Sequence, residues 1–206
     1  MGKKLWTFIS YLFHPAFMPT LGTFTVLWCD PSLFIPLDTA KPWLIVLAVV
    51  FLCTGILPLF LSWVLLKMDK ISTITHPTEN DRRTLLTFTA LCFIIVFYVF
   101  HSIPALGLSL KMFMLGINIT IVATLILSLF TKVSFHSVGA GGLLGTVIGL
   151  MKYTHADLLP WLMGAFLVVI LVGVSRYKLK AHGAFEIYMG LIIGITVQSL
   201  IFFQGA

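Results

Sequence analysis

Apolar runs of membrane-crossing length dominate this chain, with short polar breaks between them. A bilayer core about 30 Å thick takes about 20 apolar residues as a helix. Seven segments reach or approach that length: 12–36, 43–66, 85–108, 111–130, 136–152, 158–175 and 185–203. The first is interrupted by Pro15, Pro19, Gly22 and Pro31, and its approach, Leu5 to Phe13, suits a helix lying along the interface. Lys3 and Lys4 precede an uncharged run, Leu5 to Cys29, that is too long for the core of a cleavable signal and lacks a clear small-residue cleavage site. The fifth segment carries Gly139, Gly141, Gly142, Gly145 and Gly149, small residues that let helix backbones approach closely. The pattern predicts an all-α polytopic transmembrane helix bundle of six to seven spans, one integral membrane domain over residues 1–206.

Composition sharpens that reading. Hydrophobic residues make up 59% of the chain and charged residues 10%, where an average soluble domain is about half apolar and a quarter charged. So few charges cannot cover a soluble globule of this size, which excludes a water-soluble enzyme and a disordered chain. Cys29, Cys53 and Cys92 lie in or beside apolar runs without CxxC spacing, and read as small buried hydrophobes. Trp6, Trp28, Trp43, Trp63 and Trp161 fall near segment ends, as an interfacial aromatic belt does.

The formal net charge is +6, but the basic residues punctuate apolar runs. Anionic lipid headgroups or a phosphorylated substrate are the expected partners, and nucleic acid is not. With seven spans the connections alternate between two faces. One face holds Lys3, Lys4, Lys67, Lys70, Arg82, Arg83, Lys132, Arg176, Lys178 and Lys180; the other holds Lys41, Lys111 and Lys152. That asymmetry puts the first face in the cytoplasm, in a protein of the bacterial inner membrane.

Three polar clusters share the basic face: His76-Pro-Thr-Glu-Asn-Asp-Arg82-Arg83, Lys132-Val-Ser134-Phe-His136-Ser137, and Ser175-Arg176-Tyr-Lys-Leu-Lys-Ala-His182-Gly-Ala-Phe-Glu186. Two spans separate each successive pair, so parity places all three at one membrane surface. They suit phosphoryl transfer. Arginine offers a rigid fork of donors matched to phosphate oxygens. Ser134 and backbone amides at a helix start can hold further oxygens. A neutral histidine can attack phosphorus while a carboxylate fixes its tautomer, and His182 and Glu186 have the spacing of helix-face neighbours. A second histidine can protonate the leaving oxygen and later activate water.

The third cluster reads S-R-x5-H-x3-E and the second x-S-x-H. Over roughly residues 67–200 this resembles the type 2 phosphatidic acid phosphatase superfamily of membrane lipid phosphatases, whose pattern is K-x6-R-P, P-S-G-H and S-R-x5-H-x3-D. The resemblance implies His182 as nucleophile, Glu186 as the carboxylate orienting it and His136 as general acid. It implies phosphate binding by Arg83, Arg176 and Ser134, with Arg82, His76 and Lys132 beside them, and a metal-independent reaction without a cofactor. The departures are His76 for the motif Lys, Thr84 for Pro, Val133 and Phe135 within the second motif, and Glu186 for Asp. The implied activity is hydrolysis of a phosphomonoester or pyrophosphate of a membrane lipid through a phosphohistidine. Phosphatidylglycerol phosphate, phosphatidic acid, polyprenyl pyrophosphate and lipid A phosphate all fit.

The alternatives are a catalytically silent lipid-binding homologue and a small-solute transporter. A transporter needs polar residues near the midplane, and only His101, Asn118 and Gln198 offer them, without an inverted repeat. His14 lies near the basic face and reads as structural, and the far-face pair His155 and Asp157 reads as a solvated loop. No HxxxH or HExxH spacing points to a metal.

Overall fold

A computed structural model describes residues 2–30, 41–73 and 78–204, and among them the chain is helical, with no strand. Helix α1 (Gly2–Leu12) leads through a 3₁₀ turn (Pro15–Phe17) into α2 (Met18–Cys29). A continuous helix follows, made of α3 (Lys41–Val50), a π-helical stretch (Phe51–Ile56) and α4 (Leu57–Lys67). Then come α5 (Glu79–His101), α6 (Leu108–Leu127), α7 (Phe135–Thr154), α8 (Leu159–Lys178) and α9 (Ala184–Gln204).

Among the described residues, five helices are long and apolar enough to cross a membrane: Pro42–Lys67, Glu79–His101, Leu108–Leu127, Leu159–Lys178 and Ala184–Gln204. Their outward faces are apolar, with Ile95, Phe166, Leu167 and Ile192 all exposed. This marks a membrane-type helical bundle. The other two predicted segments differ. Within 12–36 the helix α2 has 12 residues, short of a crossing by itself, and 31–36 lie outside the described residues. Over 136–152 the chain forms the 20-residue α7, whose glycines and hydroxyls make it too polar to pass as a lipid-facing span. The reason is burial. Helix α7 packs against α9, α8 and α2, so its surface meets protein rather than acyl chains, and Ala140, Leu150 and Thr146 are fully buried.

The α7–α9 contact fixes the geometry of everything at its upper end. Gly141 and Gly145 on α7 lie so close to α9 that a methyl group on them would sit 2.5 Å from the Leu191 and Ile195 carbonyl oxygens. Gly190 on α9 is pressed in the same way against the Ser134 carbonyl, 2.7 Å from where its own Cβ would be. Two backbones in contact leave no flexible atom to yield. Gly145→Val is therefore expected to destabilise the bundle by about 1–3 kcal/mol or more, the usual cost of overpacking. Thermal unfolding in detergent checks it: Gly145→Val unfolds earlier than Gly164→Val, because Gly164 has open space around it.

Helix starts are set by side-chain caps. Thr78 caps α5, accepting from the Asp81 amide, while Asp81 accepts from the Thr78 amide. The same carboxylate accepts from the Ser72 hydroxyl (2.5 Å) and amide (3.2 Å), tying the preceding loop to the helix start. This capping box starts α5 at Glu79, ahead of the hydrophobic segment that begins at 85. Ser134 caps α7, its hydroxyl accepting from the Ser137 amide and hydroxyl.

Candidate active site

The site gathers at the starts of α5, α7 and α9, the ends of α1 and α8, and the turns that follow those two ends. The three sequence clusters meet there. Arg82, in the first turn of α5, donates to the Val133 carbonyl (2.8 Å) and lies over the Phe135 ring, 4.9 Å from its centroid. That joins the first cluster to the second. The Ser134 amide donates to the Glu186 carbonyl (3.2 Å), joining the second to the third.

His182 and Glu186 form the tightest polar contact. The imidazole Nδ1 stands 2.5 Å from the Glu186 Oε2, with side chains 14% and 23% exposed. An Nδ1–H donating to the carboxylate puts the lone pair on Nε2. Burial pushes His182 below the ordinary histidine value; Glu186 opposes this by accepting its proton, and the Arg176 and Arg82 charges add to the lowering. The ring is thus neutral near pH 7, as a nucleophile must be. A recess lined by Tyr177, Lys178, Lys180, His182 and Gly183 opens onto it.

Arg176 ends α8 among the three histidines His14, His136 and His182, each within reach of its charge. Its Nη1 donates to the Ser10 hydroxyl (2.7 Å), and its Nε is buried with no partner among the described residues. His136, in the first turn of α7, places Nε2 3.2 Å from both the Ser10 hydroxyl and the Ser10 carbonyl. The His14 ring meets it edge-on at 5.4 Å between centroids.

Not all the predicted residues gather equally. Arg83 turns away from His182 and Arg176: its Nη2 donates to the Leu129 carbonyl (3.3 Å) and lies 3.9 Å from Glu79. Arg82, its neighbour, is the arginine directed at the second cluster and within charge reach of Glu186 and His182. Lys132 is exposed and lines a small recess shared with Arg82 and Glu79. Ser134 is fully buried and engaged as a cap, so its amide and hydroxyl hold the backbone that carries Phe135 and His136. His76 lies outside the described residues.

Sequence reasoning missed Ser10 and gave His14 only a structural role. The available signal was their i, i+4 relation beside a basic-face helix end, weak because a lone serine in an apolar run is common. No protein-family model, no curated protein and no solved structure matches this chain.

Proposed function

We propose that this chain is an integral membrane lipid phosphatase, a divergent member of the type 2 phosphatidic acid phosphatase superfamily, that hydrolyses a phosphomonoester or pyrophosphate of a membrane lipid. The observation that carries the reading is the meeting of a carboxylate-held, neutral His182 with Arg176, Arg82 and a second histidine at one end of an apolar bundle. Nε2 of His182 attacks phosphorus, and the bond from phosphorus to the leaving oxygen breaks as His136 gives that oxygen a proton. The guanidinium groups neutralise the phosphoryl oxygens as charge redistributes. Water then attacks the phosphohistidine, His136 takes its proton, and the phosphorus–nitrogen bond breaks to release inorganic phosphate and free His182. The test is phosphate release from a panel of lipid phosphates in detergent, wild type beside His182→Ala.

In this reading α7 is a sixth crossing, running through the bundle centre between protein neighbours. The α1–α2 segment supplies the seventh, with α1 along the interface and α2 entering the membrane. Its outward residues Leu5, Phe8 and Leu12 are exposed and follow Lys3 and Lys4, the pattern of a helix at an anionic lipid surface. The site faces the cytoplasm, on the side of the ten basic residues counted above. A Lys70→Cys variant, in a background without the native cysteines, is expected to resist an impermeant maleimide in intact cells and to label after permeabilisation. Labelling in intact cells would reverse the orientation.

A further inference from the structure

Helix α1 lies outside all three sequence clusters, yet one residue on it touches two members of the site. Ser10 is buried, and three hydrogen-bonding contacts converge on it. Its hydroxyl accepts from Arg176 Nη1 at 2.7 Å. Its hydroxyl and its carbonyl each lie 3.2 Å from His136 Nε2. We propose that Ser10 is a positioning residue of the phosphate site, holding Arg176 through its hydroxyl and the His136 ring through hydroxyl and carbonyl together. The inference rests on the phosphate-site reading above.

Both contacts to His136 lie at Nε2, so the ring exchanges its catalytic proton through Nδ1. Nε2 keeps its own proton in both charge states and donates it to the Ser10 oxygens, while the hydroxyl oxygen also accepts from Arg176. The ring thus keeps one anchor as Nδ1 loses and regains a proton in each turnover. Among the described residues His136 has no other hydrogen-bond partner, and Nδ1 is the ring nitrogen left open. Arg176 has no carboxylate partner among them either, so Ser10 is what fixes one edge of its fork while Nε remains unpartnered.

The turn that follows Ser10 is seated by independent contacts. The His14 Nδ1 accepts from the Ala16 amide (3.3 Å), and its ring meets His136 edge-on. Gly139 of α7 makes room for Met18 and Pro15, and Gly55 in the π-helical stretch lies against the Ala16 carbonyl, where a methyl would come within 3.2 Å. A π-helical turn marks a local departure from regular packing, and such turns are frequent at functional sites. Helix α1 itself runs along α8, the helix that carries Arg176. Ser10 is thus held on both sides of its contact with the site.

The experiment measures orthovanadate binding to the full chain in detergent by calorimetry, beside lipid phosphate turnover. Ser10→Ala keeps the carbonyl and removes the hydroxyl. It is expected to weaken vanadate binding roughly ten-fold, the scale of a lost hydrogen bond to a charged group, while thermal unfolding shifts by no more than a few degrees. Ser10→Thr restores the hydroxyl and is expected to recover binding to within about three-fold of wild type, a rescue that a packing role would not show. Wild-type vanadate affinity in Ser10→Ala would overturn the proposal, and so would equal losses in both variants. Tighter binding in Ser10→Ala would overturn it in favour of a serine that occupies the position of a phosphate oxygen. If wild type binds vanadate yet releases no phosphate from any lipid, the hydrolase reading fails while Ser10 is still judged by the binding series. If wild type binds no vanadate, both fall together.

Discussion

On the proposed mechanism, His182→Ala is expected to abolish phosphate release from lipid phosphates, with a loss of about 10⁴-fold or more, the scale on which removal of a covalent nucleophile acts. The side chain, though mostly enclosed, sits at a helix junction outside the apolar core, so unfolding in detergent is expected to stay close to wild type and the loss to be chemical. Glu186→Gln keeps the size of the partner but removes its charge; the rate falls between about 10²- and 10⁴-fold, as when the orienting carboxylate of a catalytic histidine is neutralised. The pH dependence follows from the burial of His182, which holds it below the ordinary value of 6.5. The neutral, reactive form therefore persists as pH falls through 6.5, and the acid limb of kcat/KM lies below that point. Glu186 raises the histidine value by accepting its proton, so Glu186→Gln moves the acid limb further down. The same linkage acts on stability. Between the lowered folded value and 6.5 the unfolded chain binds the proton more readily, so this residue's contribution is present above 6.5 and is lost as pH falls. Full turnover in His182→Ala would leave a silent lipid-binding homologue as the better reading.

The apolar periodicity of the chain marks its lipid-facing helices well, because lipid and sequence hydropathy measure the same property. Helices α6, α8 and α9 fall within three residues of their predicted limits. The reading loses precision where a helix is set by something other than lipid. Helix α5 extends back to Glu79 because Thr78 and Asp81 cap it, and charged first-turn residues read as loop to any hydropathy window. Helix α7 falls within two residues of its predicted segment, 136–152, but hydropathy does not show that it is central; its neighbours are protein, and its glycines mark the close contact with α9. Parity alone placed the three clusters at one surface, and the contacts of Arg82 with Val133 and of Ser134 with Glu186 bring them together. Motif spacing selected Arg83, whereas the structure directs Arg82 at the second cluster. Adjacent helix positions point about 100° apart, and the choice is made by Phe135, whose ring receives the first, and by Glu79 and Leu129, which draw the second outward. Ser10 was illegible for a related reason: its partners lie 126 and 166 residues away along the chain, and only the packing of α1 on α8 unites them.

On the same proposal, His136→Ala is expected to separate two substrates by their leaving groups. On a lipid phosphate the departing alkoxide is a poor leaving group and needs a proton in the transition state, so the variant loses about 10²- to 10⁴-fold, the usual worth of a positioned general acid. On nitrophenyl phosphate the leaving phenolate departs without that help, and the first step of the same variant falls far less. The ring sits against Ser10 and His14 rather than in the dyad of His182 and Glu186, so its removal leaves the nucleophile intact and the phosphohistidine still forms. What slows is the second half-reaction, where the same nitrogen base must activate water. A burst of nitrophenol followed by slow release of phosphate is therefore the expected trace for His136→Ala, against steady release in wild type. Equal losses on both substrates, without a burst, would remove His136 from acid–base work and assign it to holding Arg176 and Ser10 in place.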